Sequence, residues 1–189
     1  MRDINECIQE AQQGNQKAFE ELVRFYDRRI LALAFQLVGN TDDAQDVYQD
    51  VFMRVYDKLH TFRFECDFFT WLYRIVVNCA ITYRRKKKRH THYSLEEMSE
   101  SDGWNWLPSD TGPDPERLTM SREIRKQIHE GLETLPLMQR VVFVLRYFQD
   151  FKIRTIADIV GCSEGTVKNY IFRGSQKMKK ELATYLAQG

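Results

Sequence analysis

The sequence predicts an all-α protein: two small helical domains joined by a flexible acidic linker, the C-terminal domain carrying a helix-turn-helix. Three observations lead there. Apolar residues recur at helical spacing over most of the 189 residues, and few stretches alternate as a half-buried strand would. One stretch, residues 94–117, breaks that spacing with three of the four prolines, two glycines and seven acids, the composition of a connector. Residues 153–180 read as helix, tight turn and helix with a basic outer face, the layout that sets one helix into the DNA major groove. The expected boundaries are 1–93, 94–118 and 119–189.

Residues 16–38 place Ala18, Phe19, Leu22, Val23, Tyr26, Ile30, Leu33, Ala34 and Leu37 at helical spacing, closed by Gly39-Asn40. Residues 41–59 form the cleanest amphipathic helix. Thr41 can cap it, and Asp42 and Asp43 sit in the first turn, where the helix dipole favours negative charge. Ala44, Val47, Val51, Val55 and Leu59 share an inward arc with Tyr48 and Phe52, while Asp43, Asp46, Asp50 and Asp57 gather roughly opposite. That acidic arc is either a solvated face or a docking surface for an Arg-rich partner.

The third helix, residues 68–86, follows an aromatic start (Phe62, Phe64, Phe68, Phe69, Trp71, Tyr73) and runs into six consecutive basic residues, Arg84 to Arg89. Leu72, Ile75, Val76, Cys79 and Tyr83 make its buried stripe; Trp71, Arg74, Asn78 and Arg85 share another face. Rings interleaved with cations suit single-stranded nucleic acid, because bases stack on rings while cations hold the backbone. The plainer alternative is an aromatic core followed by a solvated basic tail, and Phe68, Phe69 and Leu72 are expected to be core.

Helical spacing resumes after residue 118. The apolar run Val141 to Leu145 is short enough for a strand, but its helical setting predicts a buried helix. Ile156, Ala157, Ile159 and Val160 then face inward, Gly161 ends that helix, and Ser163 caps the next. Val167, Ile171, Gly174 and Met178 form its inward stripe, leaving Lys168, Asn169, Phe172, Arg173 and Lys177 outward. Lys and Arg neutralise phosphates or donate to guanine edges, and Asn can bridge an adenine. An ordinary helical hairpin with a solvated basic face is the alternative.

The net charge of +1 conceals a block pattern: −4 over residues 1–61, +6 over 62–93, −6 over 94–118 and +5 over 119–189. Such blocks suggest two basic surfaces for nucleic acid and two acidic ones for other partners. Cys7, Cys66, Cys79 and Cys162 are widely spaced with no CxxC pair, which argues against a zinc ribbon and for a reducing compartment. His90 and His92 with Cys79 lack further ligands at usable spacing, so no metal or other cofactor is expected. With no Gly-rich phosphate loop or nucleophile elbow, an enzyme is not expected either. The polar start MRDINECIQEAQQG and the lack of a long apolar run predict a cytoplasmic protein without signal peptide or membrane span.

DDAQDVYQDVF at 42–52, FFTWLYRIVVNCAITYRRKKK at 68–88, LPLMQRVVFVLRYF at 135–148 and IADIVGCSEGTVKNYIFRG at 156–174 resemble the extracytoplasmic-function sigma factors of bacteria, in the expected order. The resemblance implies an alternative sigma factor, a dissociable specificity subunit of core RNA polymerase with no catalysis of its own. It implies that Asp43, Asp46, Gln49, Asp50 and Phe52 dock on the clamp of the largest subunit, and that the beta flap is a second contact. Residues 61–90 would read and melt the minus-ten element through Arg63, Phe64, Asp67, Trp71, Arg74, Asn78, Arg84 and Arg85. Thr166, Lys168, Asn169, Phe172, Arg173 and Lys177 would read the minus-thirty-five element. The linker would thread toward the polymerase active site, and an anti-sigma factor would mask the free protein.

Three departures from the family pattern stand out: Ile153-Arg154-Thr155 before the first helix of the hairpin, Lys168-Asn169-Tyr170 on the recognition helix, and Phe64-Glu65-Cys66-Asp67 in the loop. The rival readings are a helix-turn-helix regulator that binds duplex DNA without polymerase and a nucleic-acid-modifying enzyme using the Trp71 region as a platform.

Overall fold

The computed structural model describes residues 3–91 and 115–186, and among these every regular element is helical. The helices are α1 (Ile4–Gln12), α2 (Gln16–Val38), α3 (Thr41–Lys58), a one-turn 3₁₀ helix (Leu59–Thr61), α4 (Phe68–Thr91), α5 (Pro115–Thr134), α6 (Leu137–Tyr147), α7 (Ile153–Val160) and α8 (Glu164–Leu186). The expected linker up to residue 114, with His92, lies outside the described residues. α5 starts at Pro115, inside the stretch expected to be connector; a proline fits a first helical turn because the N–H it lacks has no partner there.

The helices form two compact units, α1 to α4 and α5 to α8. In the first, α1 packs on α2 and on the 3₁₀ turn, and α2 packs on α4. Its core takes Leu22, Ile30, Leu33 and Leu37 from α2, Val47, Val51 and Val55 from α3, and Leu72, Val76 and Ala80 from α4. All of these but Ala80 are residues that helical spacing selects, because a helix hides mainly one stripe. α4 is buried more broadly than that stripe, with Tyr73 and Val77 also enclosed and Ile75 only half-buried. Thr41 is the first helical residue of α3, and its hydroxyl forms no hydrogen bond among the described residues, so the expected cap is not made.

In the second unit α8 packs against α5, α6 and α7. The run Val141 to Leu145 lies in α6, largely buried, as its helical setting predicts. At Gly131 a Cβ would meet the Met178 Sδ and Cε at 3.1 Å, so α5 and α8 approach too closely there for a larger residue without displacing Met178. Among the described residues no helix is long and apolar enough to cross a membrane.

Candidate nucleic-acid and docking interfaces

On α3 the acids differ in burial. Asp43 is only 8% exposed. Its carboxylate accepts from Tyr83 Oη at 2.8 Å and from Lys87 Nζ at 2.6 Å, so α4 supplies its counter-charge. Asp43 thereby holds α3 to α4. Asp46 is exposed and also accepts from Tyr83, at 3.2 Å. Burial first, then the hydrogen bond to Asp43, raises the Tyr83 phenol above its ordinary range, so it remains a donor.

Gln49 and Asp50 are exposed, and Phe52 is half-buried, edge-on to Tyr48 at 4.9 Å. Met53 (66% exposed) and Tyr56 (67%) lie on the same side of α3 as Gln49. The sequence signal for both is their spacing of i+4 and i+7 from Gln49. Apolar side chains rimmed by acids are the composition of a protein-docking surface.

The loop before α4 builds an aromatic cluster. Phe62 is buried, and its ring centroid lies 4.8 Å from Phe64, 5.3 Å from Phe68 and 5.4 Å from Trp71. Phe64 adopts φ 58°, a left-handed conformation that costs a bulky residue roughly 1–2 kcal/mol. The result is a ring left exposed between the exposed Arg63 and Glu65. Asp67 is exposed, and its carbonyl accepts from the Trp71 N–H at 3.2 Å, opening α4.

Trp71 is half-buried against Phe62 and Phe68, so it serves the cluster as well as the surface. Arg74 is half-buried, its Nε without a hydrogen-bond partner among the described residues; Asn78 and Arg85 are exposed on the same face. Arg84 reaches a second helix. Its Nη1 donates to the Leu37 carbonyl at 3.1 Å, closing the end of α2, where a cation meets the negative pole of the helix dipole. Arg85 to Arg89 remain exposed.

In the second unit the turn between α7 and α8 is the one the sequence predicts. Gly161 takes φ 73° and its N–H returns to the Ala157 carbonyl at 2.8 Å. Ser163 Oγ accepts the Thr166 N–H at 3.1 Å, an N-cap, and the Thr166 hydroxyl hydrogen-bonds the same oxygen at 2.9 Å. Val167, Gly174 and Met178 are buried and Ile171 half-buried, which turns Lys168, Asn169, Phe172 and Arg173 to the exposed side.

Phe172 is 64% exposed, a cost in water that contact with a base or methyl group would remove. The exposed Lys177 ammonium donates to the Thr134 carbonyl at the end of α5. Arg154 is exposed at the start of α7.

Burial raises the Cys79 thiol above its usual range, which keeps it protonated and unreactive at neutral pH. Among the described residues no group of three His, Cys, Asp or Glu side chains converges as metal ligands.

The Sigma-70 region 2 family matches residues 22–90, and Sigma-70, region 4 matches residues 125–178. The chain is 32% identical over 182 residues to the ECF RNA polymerase sigma factor SigW of Bacillus subtilis, covering 95% of this chain and 96% of that protein. It is 31% identical over 186 residues to the RNA polymerase sigma-H factor of Pseudomonas aeruginosa, covering 97% and 95%. The fold is similar to that of the sigma factor RpoE of Bartonella quintana, solved in complex with the anti-sigma factor NepR: TM-score 0.69 at 23% identity, over 88% of this chain and 98% of that one. With an acidic helix, an aromatic loop and a helix-turn-helix in the family's order, the chain belongs to the extracytoplasmic-function sigma factors, alternative sigma factors that direct transcription initiation.

Proposed function

We propose that the surfaces divide the work of initiation between them. Asp46, Gln49 and Asp50, with Phe52, Met53 and Tyr56 beside them, dock on the clamp of the largest polymerase subunit. Phe64, Trp71, Arg74, Asn78 and Arg85, with Arg63 and Asp67 at the loop, capture the opened minus-ten strand. Lys168, Asn169, Phe172 and Arg173, with Thr166 ordering the turn, read the minus-thirty-five element, and the second unit also meets the beta flap. Region boundaries near 1–93, 94–118 and 119–189 suit this division. The chain carries out no reaction of its own and works in the cytoplasm.

The observation that carries the reading is the pairing, within one helical unit, of an acidic face on α3 with an aromatic and cationic face around α4. Flipping a base out of the stack costs a few kcal/mol. Stacking returns about 1–3 kcal/mol per base, so one exposed ring and a few cations balance the cost only when core polymerase supplies the remaining binding energy. An anti-sigma partner fits the same reading, since the structural relative was solved with one.

A gel shift tests it. Promoter duplex should move only when the chain and core polymerase are both present; a full shift by the chain alone would favour a conventional regulator.

A further inference from the structure

The aromatic loop is held from a helix that the matched family segments do not include. Gln12 closes α1, and the region 2 match begins at residue 22. Its side-chain Nε2 donates to the Leu59 carbonyl at 2.9 Å and to the Phe62 carbonyl at 2.7 Å. A carboxamide nitrogen has two N–H groups, one for each acceptor, and the two carbonyls bracket the 3₁₀ turn; the Leu59 oxygen also accepts the Phe62 N–H at 3.0 Å. Phe62 is also the ring on which Phe64, Phe68 and Trp71 converge.

The support behind Gln12 is itself fixed. Cys7 and Ile8 bury α1 against α2, Cys7 Sγ donates to the Ala18 carbonyl at 3.1 Å, and Asp3 caps the first turn through Asn5 N–H. Two residues beyond Phe62, Phe64 holds its left-handed conformation. Such a conformation persists in a bulky residue only where its surroundings over-determine it. The tie from Gln12 to the Phe62 carbonyl is the fixed point just before that strained residue.

We infer that Gln12 is a positioning residue for promoter opening: its two hydrogen bonds hold the Phe62–Phe64 segment so that the exposed aromatic face meets an unstacked base in one geometry. This rests on the reading of the loop and α4 as the minus-ten surface. Gln12 touches no DNA; it acts through Phe62 and Phe64. A misplaced contact matters most when the same contact must drive strand separation, and least when the strands are already apart.

The test uses holoenzyme carrying the full chain as wild type, Gln12→Glu or Gln12→Lys. Glu keeps the size and removes both donors, whereas Lys restores a donor. Each is assayed on one promoter as closed duplex and as a template whose minus-ten element is opened by mismatches. Gln12→Glu should initiate about tenfold less on duplex, yet stay within about twofold of wild type on the opened template and in core affinity. Gln12→Lys should regain most of the duplex activity.

Undiminished duplex initiation by Gln12→Glu overturns the inference, as does equal loss on both templates. If Gln12→Glu does not fold, Gln12→Leu is carried through the same pair of templates; failure of that variant to fold makes the residue purely structural and also overturns it. A wild type inactive on both templates would instead remove the minus-ten reading.

Discussion

Lys87 Nζ lies 2.6 Å from one carboxylate oxygen of Asp43 and 2.9 Å from the other. Tyr83, one turn earlier on α4, adds its hydroxyl to the same carboxylate at 2.8 Å. α3 is thereby tied to α4, and the tie uses an acid that the sequence groups with the expected docking residues.

Asp43→Ala should therefore act on stability. A hydrogen bond to a charged group is worth about 1.5–3 kcal/mol, and the exposed Lys87 ammonium regains water when released, so a loss of about 1–2 kcal/mol is expected. Denaturant unfolding of the chain measures it. An unchanged midpoint would mean that the contact contributes nothing.

Asp50→Lys should leave that midpoint within about 0.5 kcal/mol, because the residue is exposed, and should weaken binding to core polymerase by about tenfold or more. Fluorescence titration of labelled chain with core polymerase decides it. Wild-type affinity would take Asp50 out of the docking surface.

Arg173→Ala should cost about 1–3 kcal/mol of discrimination at one base of the minus-thirty-five element, if its fork is bidentate to a guanine. Transcription from matched and singly mismatched promoters reads this directly. An equal drop on both templates would reassign Arg173 to a phosphate contact.

Tyr48 gives a pH signature. Burial, then the hydrogen bond to Asp27, pushes its phenol from 10.0 up to about 12. A group held protonated by the fold contributes stability that is full below its unfolded value and lost as pH rises through the folded one. The Tyr48 contribution should fade between about pH 10 and pH 12, and Tyr48→Phe should remove that part of the decline. Unfolding midpoints across the alkaline range test this; parallel curves for both proteins would contradict it.

Local signals were the ones the sequence carried well. The turn from Gly161 to Ser163 was legible because cap and glycine act within a few residues, and the stripes of α2, α3 and α8 were legible because burial follows helical spacing. Hardest to read were long side chains reaching other elements: Lys87 to Asp43, Arg84 to Leu37, Lys177 to Thr134 and Gln12 to Leu59 and Phe62. A helical wheel places such a residue outward without showing that a neighbouring element offers it an acceptor. The acidic arc of α3 did hold a clue, since acids without a local cation are often neutralised by the next basic helix.

Run-off transcription with purified core polymerase, with start sites mapped on genomic templates, decides whether the chain selects promoters. Initiation should occur at discrete sites only when chain and core are combined, with Asp50→Lys reducing it at every site and Arg173→Ala changing which sites are used. Initiation that is the same with and without the chain would contradict it.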